Sequence, residues 1–481
     1  MNTAGLAVKL VQPLLILVLT WLYGPEVMGV FFVAVFLLDL LTGLAAWGFV
    51  DAATLFTSRA LEDGEPGHAA AHHTLGAAIR WGVGLSLAAA VALGAAAGML
   101  ASRIYPDLPG LATALRILAA ALPLMAWTQL AIGGTKAHMR MEYDAAILGF
   151  VNPVLRLLFA AAAWWIWGTL PALMASILTA EVATAATAGW ALSRHFRLQD
   201  TLAAVLSGPP VPGLLPFALP QSANVTLNRY LTRIDVLMLG AFGVPSGRLA
   251  YYATAALISS NLRQIRLVFS SALAPVAARH HARGEALALE EVLNRLSRWT
   301  TTLIIPVVLT LTVLREDVLR LFDASYSGES VFIVVLLIAP LVGSSLGLFG
   351  NAIIYTGHSA WTLGNSLLVA ALNTAFNLVM IPRWGLLGAA MGTAGAATII
   401  ALLQVLELRM LEGIRLRLRA FRQPLLGLLA AGAALALLWD PASLGPGFRL
   451  ATAVGLPAGF LFLQALLGHP EVTARFRDRA A

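Results

Sequence analysis

Long apolar segments separated by short polar ones make up almost the whole chain of 481 residues. Each apolar segment is close to the length of about 20 residues that a helix needs to cross a bilayer. Lipid admits only helices and closed barrels, and these runs lack the alternation of barrel strands. The pattern therefore predicts an all-α polytopic membrane protein with about 14 transmembrane helices.

The polar segments are predicted as loops, at residues 51–74, 103–110, 133–144, 193–212, 314–329 and 409–422. A turn at Gly24 and Pro25 separates the first two spans, and a turn around Gly168 separates the fifth and sixth. Residues 279–298 are predicted as one charged amphipathic helix. The first apolar segment lacks the features of a cleavable signal peptide, so we expect it to remain as a helix.

An internal repeat emerges when the sequence is shifted by about 220 residues. The coinciding pairs are Pro25 with Pro245, Arg59 with Arg279, and Lys9 with Arg229. We predict six-helix bundles at residues 1–205 and 206–410, followed by two additional helices and a basic cytoplasmic tail at residues 411–481. Six spans per repeat give both halves the same orientation, hence a pseudo-two-fold axis along the membrane normal. In this alignment the first span would begin several residues before Met1.

Composition narrows the picture further. The chain is 59% hydrophobic and 11% charged, and it contains no cysteine, so disulfide and thiol chemistry are excluded. Arginine is concentrated in alternate loops, and the positive-inside rule then places both termini in the cytoplasm. No basic patch with interleaved aromatic residues suggests nucleic acid. No nucleotide-binding motif is present, and we expect no cofactor.

Charged residues inside the spans are the candidates for function, because each costs roughly 2.5–3.5 kcal/mol there. In the seventh span, Arg229 and Arg233 are four residues apart and share a face, whereas Asp235 points elsewhere. Two arginines against one aspartate leave a surplus charge that must meet water or an anion. The alternative is a self-neutralising cluster that only fixes helix packing.

The eighth span carries a polar stripe made of Ser259, Arg263, Arg266 and Ser270. We expect this stripe to line a cavity. The alternative is that its arginines pair with acids such as Asp39 or Glu181.

Further candidates are two cations, Arg156 and Lys9, the second of which lies near a span end and could extend to the interface. Asp39, Glu181 and Asp235 are candidate counter-ions or ion-coupling acids. The guanidinium fork matches phosphate, so an arginine-lined interior predicts a substrate with phosphate or pyrophosphate. The histidines at 68, 72 and 73 are expected in a solvated loop and not in a metal site.

Three stretches carry a resemblance to a known family: YLTRIDVLMLG at residues 230–240, SALAPVAAR at 271–279 and NTAFNLVMIPRWGLLGAA at 373–390. In this order and spacing, the chain resembles the polysaccharide-transport branch of the multidrug/oligosaccharidyl-lipid/polysaccharide (MOP) exporter superfamily. That branch includes bacterial O-antigen flippases. The resemblance covers nearly all of the chain.

The resemblance implies a V-shaped pair of six-helix bundles that works by alternating access, and it implies a transporter and not an enzyme. The substrate would be an undecaprenyl-pyrophosphate-linked oligosaccharide, moved across the bacterial inner membrane for O-antigen, lipopolysaccharide or another surface polysaccharide. Membrane lipids, a polysaccharide polymerase and other assembly proteins are the implied partners. The cations that would hold the pyrophosphate are Arg229, Arg233, Arg263, Arg266, Arg156 and Lys9.

Two alternatives stay open from the sequence. A drug/cation antiporter of the same superfamily would favour acidic over basic residues in its cavity. An integral-membrane oligosaccharide polymerase or ligase would need a long periplasmic loop with acid/base residues. The longest outside excursion, residues 314–329, is short, and we expect its Glu316, Asp317 and Asp323 to form a solvated turn.

Overall fold

The structure, a computed structural model, describes residues 3–62, 65–326, 330–437 and 445–466. These ranges contain helices and turns and no strand, which confirms the all-α prediction. Within these described ranges, seven helices are long and apolar enough to cross a membrane, or eight if the bent pair Leu111–Ala119 and Ala121–Ala137 forms one span. Two of the seven are 50 and 52 residues long, more than twice the length that a bilayer requires. The chain is therefore a membrane protein with many spans.

The chain divides by its internal packing into two compact units, Met1–Thr254 and Ala255–Ala481. The boundary between them falls inside one helix, Ser246–Asn261. The division into six-helix bundles at residue 205 stays a prediction.

The helices up to that boundary have the following bounds: α1 Thr3–Thr42, α2 Gly48–Glu62, α3 Glu65–Met99, α4 Leu111–Ala119, α5 Ala121–Ala137, α6 Glu142–Ala146, α7 Asn152–Ile166, α8 Leu170–Ser193, α9 Leu198–Ser207, α10 Leu214–Ala241 and α11 Ser246–Asn261. Three short π-helical segments extend α1, α3 and α6: Gly43–Trp47, Leu100–Ile104 and Ile147–Val151.

The helices beyond the boundary are α12 Arg263–Ala282, α13 Ala286–Val313, α14 Arg315–Arg320, α15 Val331–Tyr355, α16 Ser359–Glu412, α17 Arg422–Leu437 and α18 Pro446–Leu466. A short 3₁₀ turn, Leu418–Phe421, precedes α17. The predicted spans in α10, α11 and α17 are not among these helices, because α10 contains polar residues and because α11 and α17 are short.

Two glycines break the longest helices into spans. Gly24 interrupts α1 with φ 76° and ψ 166°, and Gly385 interrupts α16 with φ 53° and ψ −124°. Both conformations are accessible to glycine and strained for residues with a Cβ. The turn that the sequence predicted at Gly24 is thus confirmed as a kink within a continuous helical segment.

The repeat predicted from the sequence recurs in the bounds of the helices. A shift of 220 residues carries Glu62, the end of α2, onto Ala282, the end of α12. The same shift carries Thr42, after which the first π segment begins, onto Leu262, where α11 gives way to α12. At these two positions the interruptions of the helices coincide in the two halves of the chain.

Two predictions about the polar segments are wrong. Residues 51–74 are not a loop, because α2 continues to Glu62 and α3 starts at Glu65. Small side chains let these helices pack closely, and Thr57 Oγ1 lies 3.1 Å from Thr74 Oγ1. Residues 279–298 are not one helix, because Gly284 at φ 68° separates α12 from α13.

Short helices also occupy two other predicted loops. Helix α9 lies within residues 193–212, and α14 lies within residues 314–329. Each unit has its own apolar core. In the first unit Phe49, Leu75 and Leu130 are fully buried, and in the second Leu293, Leu348 and Leu408 are.

The conformation of Gly24 yields a test. Gly24→Ala should lower the stability of the protein in detergent by about 1–3 kcal/mol, because alanine is strained at this φ and ψ. A Cβ at Gly24 would touch no atom within 4 Å, so the loss would be due to backbone strain alone. The measurement is reversible unfolding followed by circular dichroism.

Gly84→Ala in α3 is the matched control, since a Cβ there is equally free of contacts and its φ is ordinary. This control should leave stability unchanged or raise it by up to about 1 kcal/mol. Equal stability of the two variants would contradict the strain at Gly24.

Candidate functional site

A shared carboxylate holds the two arginines of α10. Asp39 on α1 accepts a hydrogen bond from Arg229 Nη1, and its second oxygen lies 3.5 Å from Arg233 Nε. These three side chains are 20–24% exposed. Two guanidinium groups therefore face one carboxylate, which leaves a local surplus of one positive charge. We call this group, with its aromatic neighbours below, the Asp39 site.

Aromatic rings complete the Asp39 site. The guanidinium carbon of Arg229 lies 4.4 Å from the ring centroid of Trp47, and that of Arg233 lies 4.3 Å from the ring of Phe36. Such cation–π contacts hold a guanidinium without neutralising it. Trp47 belongs to the π segment that follows Gly43, and a Cβ at Gly43 would lie 3.1 Å from Arg229 Cδ. The missing side chain makes room for the arginine.

Asp235 of α10 contacts the neighbouring helix α11. Its Oδ2 accepts a hydrogen bond of 3.2 Å from the hydroxyl of Tyr252 on α11. This contact links α10 to the next helix.

Arg156 forms a compact ion pair with Glu181. Its Nη2 and Nε lie 2.6 and 3.0 Å from one oxygen of Glu181, whose side chain is only 3% exposed. Asn152 donates to the same oxygen at 2.9 Å and to Thr184 at 3.1 Å. The group is neutral overall and links α7 to α8. Its contacts favour a role in helix packing over a role in binding.

Arg266 on α12 differs from Arg156, Arg229 and Arg233, each of which pairs with a carboxylate. Its Nε is buried without a hydrogen-bond acceptor, and among the described residues no carboxylate forms an ion pair with it. The guanidinium lies against Gly347 of α15, where a Cβ would be 3.1 Å from Arg266 Cζ. This positive charge therefore lacks a compensating partner in the part of the chain that the structure describes.

One turn along the predicted stripe, polar side chains of α15 meet Ser270. Asn351 Nδ2 donates to Ser270 Oγ at 2.6 Å, and the hydroxyl of Tyr355 lies 3.1 Å from the same oxygen. Ser259, at the other end of the stripe, donates to the carbonyl of Leu336 at 3.2 Å. Ser259, Arg266 and Ser270 of the stripe thus contact α15. We call Arg266, Ser270, Gly347, Asn351 and Tyr355 the Arg266 site.

The two remaining predicted cations, Arg263 and Lys9, add little to the description of these sites. Arg263 is exposed and lies at the start of α12. The side chain of Lys9 lies outside the described residues, as do the arginines of the predicted tail after residue 466.

The histidines of the predicted loop belong to helix α3, so their assignment to a loop is wrong. They line a cavity of about 580 Å³ together with residues of α9 and of the turn between α8 and α9, and its polar lining is His68, His72, His73, His195, Arg197, Asp200 and Ser207. His72 Nδ1 lies 2.9 Å from Thr201 Oγ1. The pKa of the neighbouring His138 is lowered, mainly because burial disfavours its charged form. Within the described residues, no three His, Cys, Asp or Glu side chains are placed to hold a metal ion.

The acids of residues 314–329 are held by hydrogen bonds and ion pairs, whereas the sequence predicted a solvated turn. Glu316 pairs with Arg320 at 3.1 Å, and Asp317 pairs with Arg449 of α18 at 2.8 Å. Asp323 accepts a hydrogen bond of 2.8 Å from the backbone of Ser325. These contacts stabilise the turn and its link to α18.

Among the described residues, sequence reasoning missed two buried acids, Glu290, which pairs with Arg417, and Glu407. Glu407 on α16 is 4% exposed and accepts a hydrogen bond of 2.6 Å from Asn365 Nδ2. In the sequence, Glu407 looks like the start of the charged segment that contains Arg409 and Glu412. Only its burial distinguishes it from those neighbours.

The Arg156–Glu181 pair yields a test of its packing role. Glu181→Gln should destabilise the protein by about 2–4 kcal/mol, because it leaves a largely buried guanidinium uncompensated. The double variant Arg156→Met, Glu181→Leu should recover most of this loss, since it removes both charges. The measurement is unfolding in detergent followed by circular dichroism.

The exposed pair between Arg140 and Glu142, 3.4 Å apart, supplies the control. Glu142→Gln should change stability by less than about 1 kcal/mol. A double variant less stable than Glu181→Gln would show that the charges themselves are required.

Comparison of the chain with solved structures identifies its fold. The lipid II flippase MurJ, in an inward closed conformation, matches with a TM-score of 0.75 and 12% identity over 97% of this chain and 100% of that chain. An inward-facing multidrug resistance MATE family transporter of the MOP superfamily matches with a TM-score of 0.67 and 14% identity. The match covers 86% of this chain and 95% of that chain.

A third match is a MOP superfamily transporter from Pyrococcus furiosus, which is described as having a binding pocket of reverse polarity. Its TM-score is 0.52 and its identity 14%, and the match covers 85% of this chain and 93% of that chain. At these identities the similarities are similarities of fold. No curated protein matches the chain in sequence. The family model described as "Polysaccharide biosynthesis protein" matches residues 1–281, more than half of the chain. The chain therefore belongs to the polysaccharide biosynthesis protein family.

Proposed function

We propose that this protein is a flippase that moves an undecaprenyl-pyrophosphate-linked oligosaccharide from the cytoplasmic to the periplasmic leaflet by alternating access. Membership of the polysaccharide biosynthesis protein family and the fold in common with a lipid II flippase support this proposal. The single observation that carries it is the guanidinium of Arg266, which among the described residues has no carboxylate to pair with.

The Arg266 site suits a phosphate group. A largely buried guanidinium without a counter-ion is unfavourable unless an anion or water reaches it. Pyrophosphate offers oxygen atoms in the spacing of the guanidinium fork, which gives charge-assisted hydrogen bonds in pairs. Ser270, Asn351 and Tyr355 add hydroxyl and amide groups one turn away. Arg263 begins the same helix and is the proposed second cation for this anion.

The Asp39 site in the first unit also suits a phosphate group, which would replace Asp39 as the partner of the two arginines. Arg229 and Arg233 are fixed on aromatic faces and share one carboxylate, so they keep a positive surplus. A phosphate that approaches them competes with Asp39 for their donors. Such competition gives the substrate a different affinity for two conformations, which is what a conformational change requires. Lys9 joins the proposal only through its place in the repeat, and Arg156 is assigned to packing.

The rest of the cycle follows from the chemistry of the substrate. The prenyl chain would stay in the lipid while the sugars occupy aqueous space. An ion gradient or consumption of the product would supply the driving force. In this proposal the protein lies in a bacterial inner membrane with both termini in the cytoplasm and delivers its product to a polymerase and other assembly proteins, for O-antigen or a similar surface polysaccharide.

The first experiment deletes the gene and scores lipid-linked oligosaccharide in each leaflet. Accumulation of finished units on the cytoplasmic side, with no surface polymer, is the expected result. Units that reach the periplasmic side but remain unpolymerised would assign the protein to the polymerase or ligase class. Unchanged surface polymer and no accumulated intermediate would point to a small-molecule exporter, such as a drug/cation antiporter.

Arg266 gives a sharper prediction on the purified protein. Arg266→Gln should weaken binding of a prenyl pyrophosphate by about 10- to 100-fold, because a hydrogen bond to a charged group contributes about 1.5–3 kcal/mol. Binding of the uncharged prenyl alcohol should not change. Native mass spectrometry of the protein in detergent measures both ligands.

Arg295→Gln is the matched control. Arg295 of α13 is exposed and pairs at 3.1 Å with Glu291 of its own helix. This variant should bind the pyrophosphate as the wild type does. Wild-type affinity of a folded Arg266→Gln variant would remove the observation on which the proposal depends.

A further inference from the structure

A short basic segment connects α16 to α17. Residues 413–417 are not helical, and the 3₁₀ turn Leu418–Phe421 follows them directly before Arg422 begins α17. The sequence predicts a loop here, and the proposed transport cycle does not use it. We call residues 413–422 the basic strap.

Two buried side chains of α13 hold the basic strap in place. Glu290 and Asn294 are 6% and 3% exposed. The carboxylate of Glu290 accepts a hydrogen bond of 2.8 Å from the backbone N–H of Arg415 and one of 2.6 Å from Arg417 Nε. Asn294 donates to the carbonyl of Arg415 at 2.9 Å and accepts from the N–H of Arg417 at 2.7 Å. The backbone of the strap is therefore fixed on α13.

Apolar packing anchors the same segment. Ile414 is 1% exposed and belongs to the apolar core of the second unit, and Leu416 packs against that core. Successive side chains of an extended segment point to opposite sides. Arg415 and Arg417, which alternate with these apolar residues, are accordingly exposed. The fold thus presents the charged side of the strap to the surroundings.

This surface carries unbalanced positive charge. Arg417 pairs with Glu290, and Glu412 at the end of α16 lies 3.2 Å from His281. Four exposed arginines form no ion pair within the described part of the chain: Arg409, Arg415, Arg419 and Arg422. Their charge is available to a partner from outside the protein.

The ends of three helices place the basic strap at the edge of the membrane. Helices α13 and α16 are both long and apolar enough to cross a bilayer. Glu290 and Asn294 lie near the start of α13, and the strap begins directly after Glu412, the last residue of α16. The apolar helix α17 starts where the strap ends. Its arginines are therefore expected at the level of the lipid headgroups.

We propose that the basic strap binds the headgroups of phospholipids with net negative charge in the leaflet that it faces. Guanidinium groups pair well with phosphate oxygens, and basic clusters beside a membrane span attract anionic headgroups. Two large apolar side chains, Met410 and Leu418, are 74% and 70% exposed beside these arginines. They can insert below the headgroups, which favours a lipid over a soluble anion. This role does not depend on which substrate the protein transports.

The fixed backbone distinguishes this surface from a mobile basic loop. A mobile loop attracts anionic lipid by its charge alone, so its affinity follows its net charge. In the basic strap, α13 holds the arginines in position before a lipid arrives, and less conformational entropy is lost on binding. Glu290 is an acid, yet it should strengthen the binding of an anionic lipid, because it fixes the backbone of Arg415 and the side chain of Arg417.

Native mass spectrometry of the full-length protein in detergent tests the proposal. The protein is titrated with phosphatidylglycerol, which is anionic, and with phosphatidylcholine, which has no net charge. The wild type should bind phosphatidylglycerol more tightly. The triple variant Arg415→Gln, Arg419→Gln, Arg422→Gln should reduce this preference by about 10- to 100-fold, since each arginine near an anionic surface contributes up to about fivefold. Equal binding of the two lipids by the wild type would overturn the proposal.

The triple variant Arg59→Gln, Arg194→Gln, Arg197→Gln is the matched control. These three arginines are exposed, belong to the first unit and are predicted on the same side of the membrane as the strap. The control removes the same amount of charge and should keep the wild-type preference. Equal losses in the two triple variants would show that net charge alone attracts the lipid, and the strap would then be no site.

Glu290→Gln separates a fixed site from attraction by charge. This variant raises the net charge by one, and it should nevertheless bind phosphatidylglycerol several-fold more weakly. Wild-type or tighter binding by the folded variant would contradict the proposal. Circular dichroism establishes folding. If Glu290→Gln does not fold, Asn294→Ser, which leaves the net charge unchanged, provides the same measurement with the same expected loss.

Inorganic phosphate distinguishes a lipid site from a site for a soluble anion. Sodium phosphate should weaken phosphatidylglycerol binding no more than sodium chloride of the same ionic strength, because both act by screening. Displacement of the lipid by phosphate beyond the effect of chloride would assign the arginines to a soluble anion and overturn the proposal.

Discussion

A charged group inside a membrane protein must meet an opposite charge, a proton, water or a ligand, because the apolar interior cannot solvate it. This constraint accounts for the arrangement of the ionisable residues described here. Glu181 and Arg156 neutralise each other. Asp39 serves two arginines and leaves them with a surplus charge. Arg266 has no opposite charge among the described residues, and a site that lacks a partner of its own is suited to bind one reversibly.

Glycine provides the space that these arrangements need. Gly43 admits the stem of Arg229, Gly347 admits the guanidinium of Arg266, and Gly350 admits Gln404. Without a Cβ, the backbone of one helix comes close to a long polar side chain of another, and helix packing in membranes uses small residues in the same way. Gly43 and Gly347 therefore lie opposite charged side chains and Gly350 opposite an uncharged polar one, whereas Gly24 and Gly385 act through their own backbone conformation.

The internal repeat also relates positions at which the helices depart from regular geometry. The π segment after Thr42 and the helix break at Leu262 lie at matching positions of the two halves. The π segment also positions Trp47 over Arg229. Such bulges are frequent at functional sites because they rotate the following side chains relative to the preceding turn. In the second half, the break lies beside Arg263 and precedes Arg266.

The sequence by itself determined the fold class, the membrane location, the repeat and the arginines worth examining. These depend on the length and period of apolar runs and on the rarity of charge within them, which are local properties of the chain. The sequence failed at residues 51–74, where polar residues on an amphipathic surface resembled a loop although α2 and α3 stay helical by packing.

Only the tertiary structure decided which charges neutralise one another. Asp39 meets Arg229 and Arg233 across 190 residues or more of sequence, and Glu407 meets no cation in the described part of the chain although Arg409 is two residues away. Pairing depends on which helix faces come together, and helices of similar apolar composition carry no local signal of their neighbours. The partners of a buried charge are fixed by packing, and so is the absence of one.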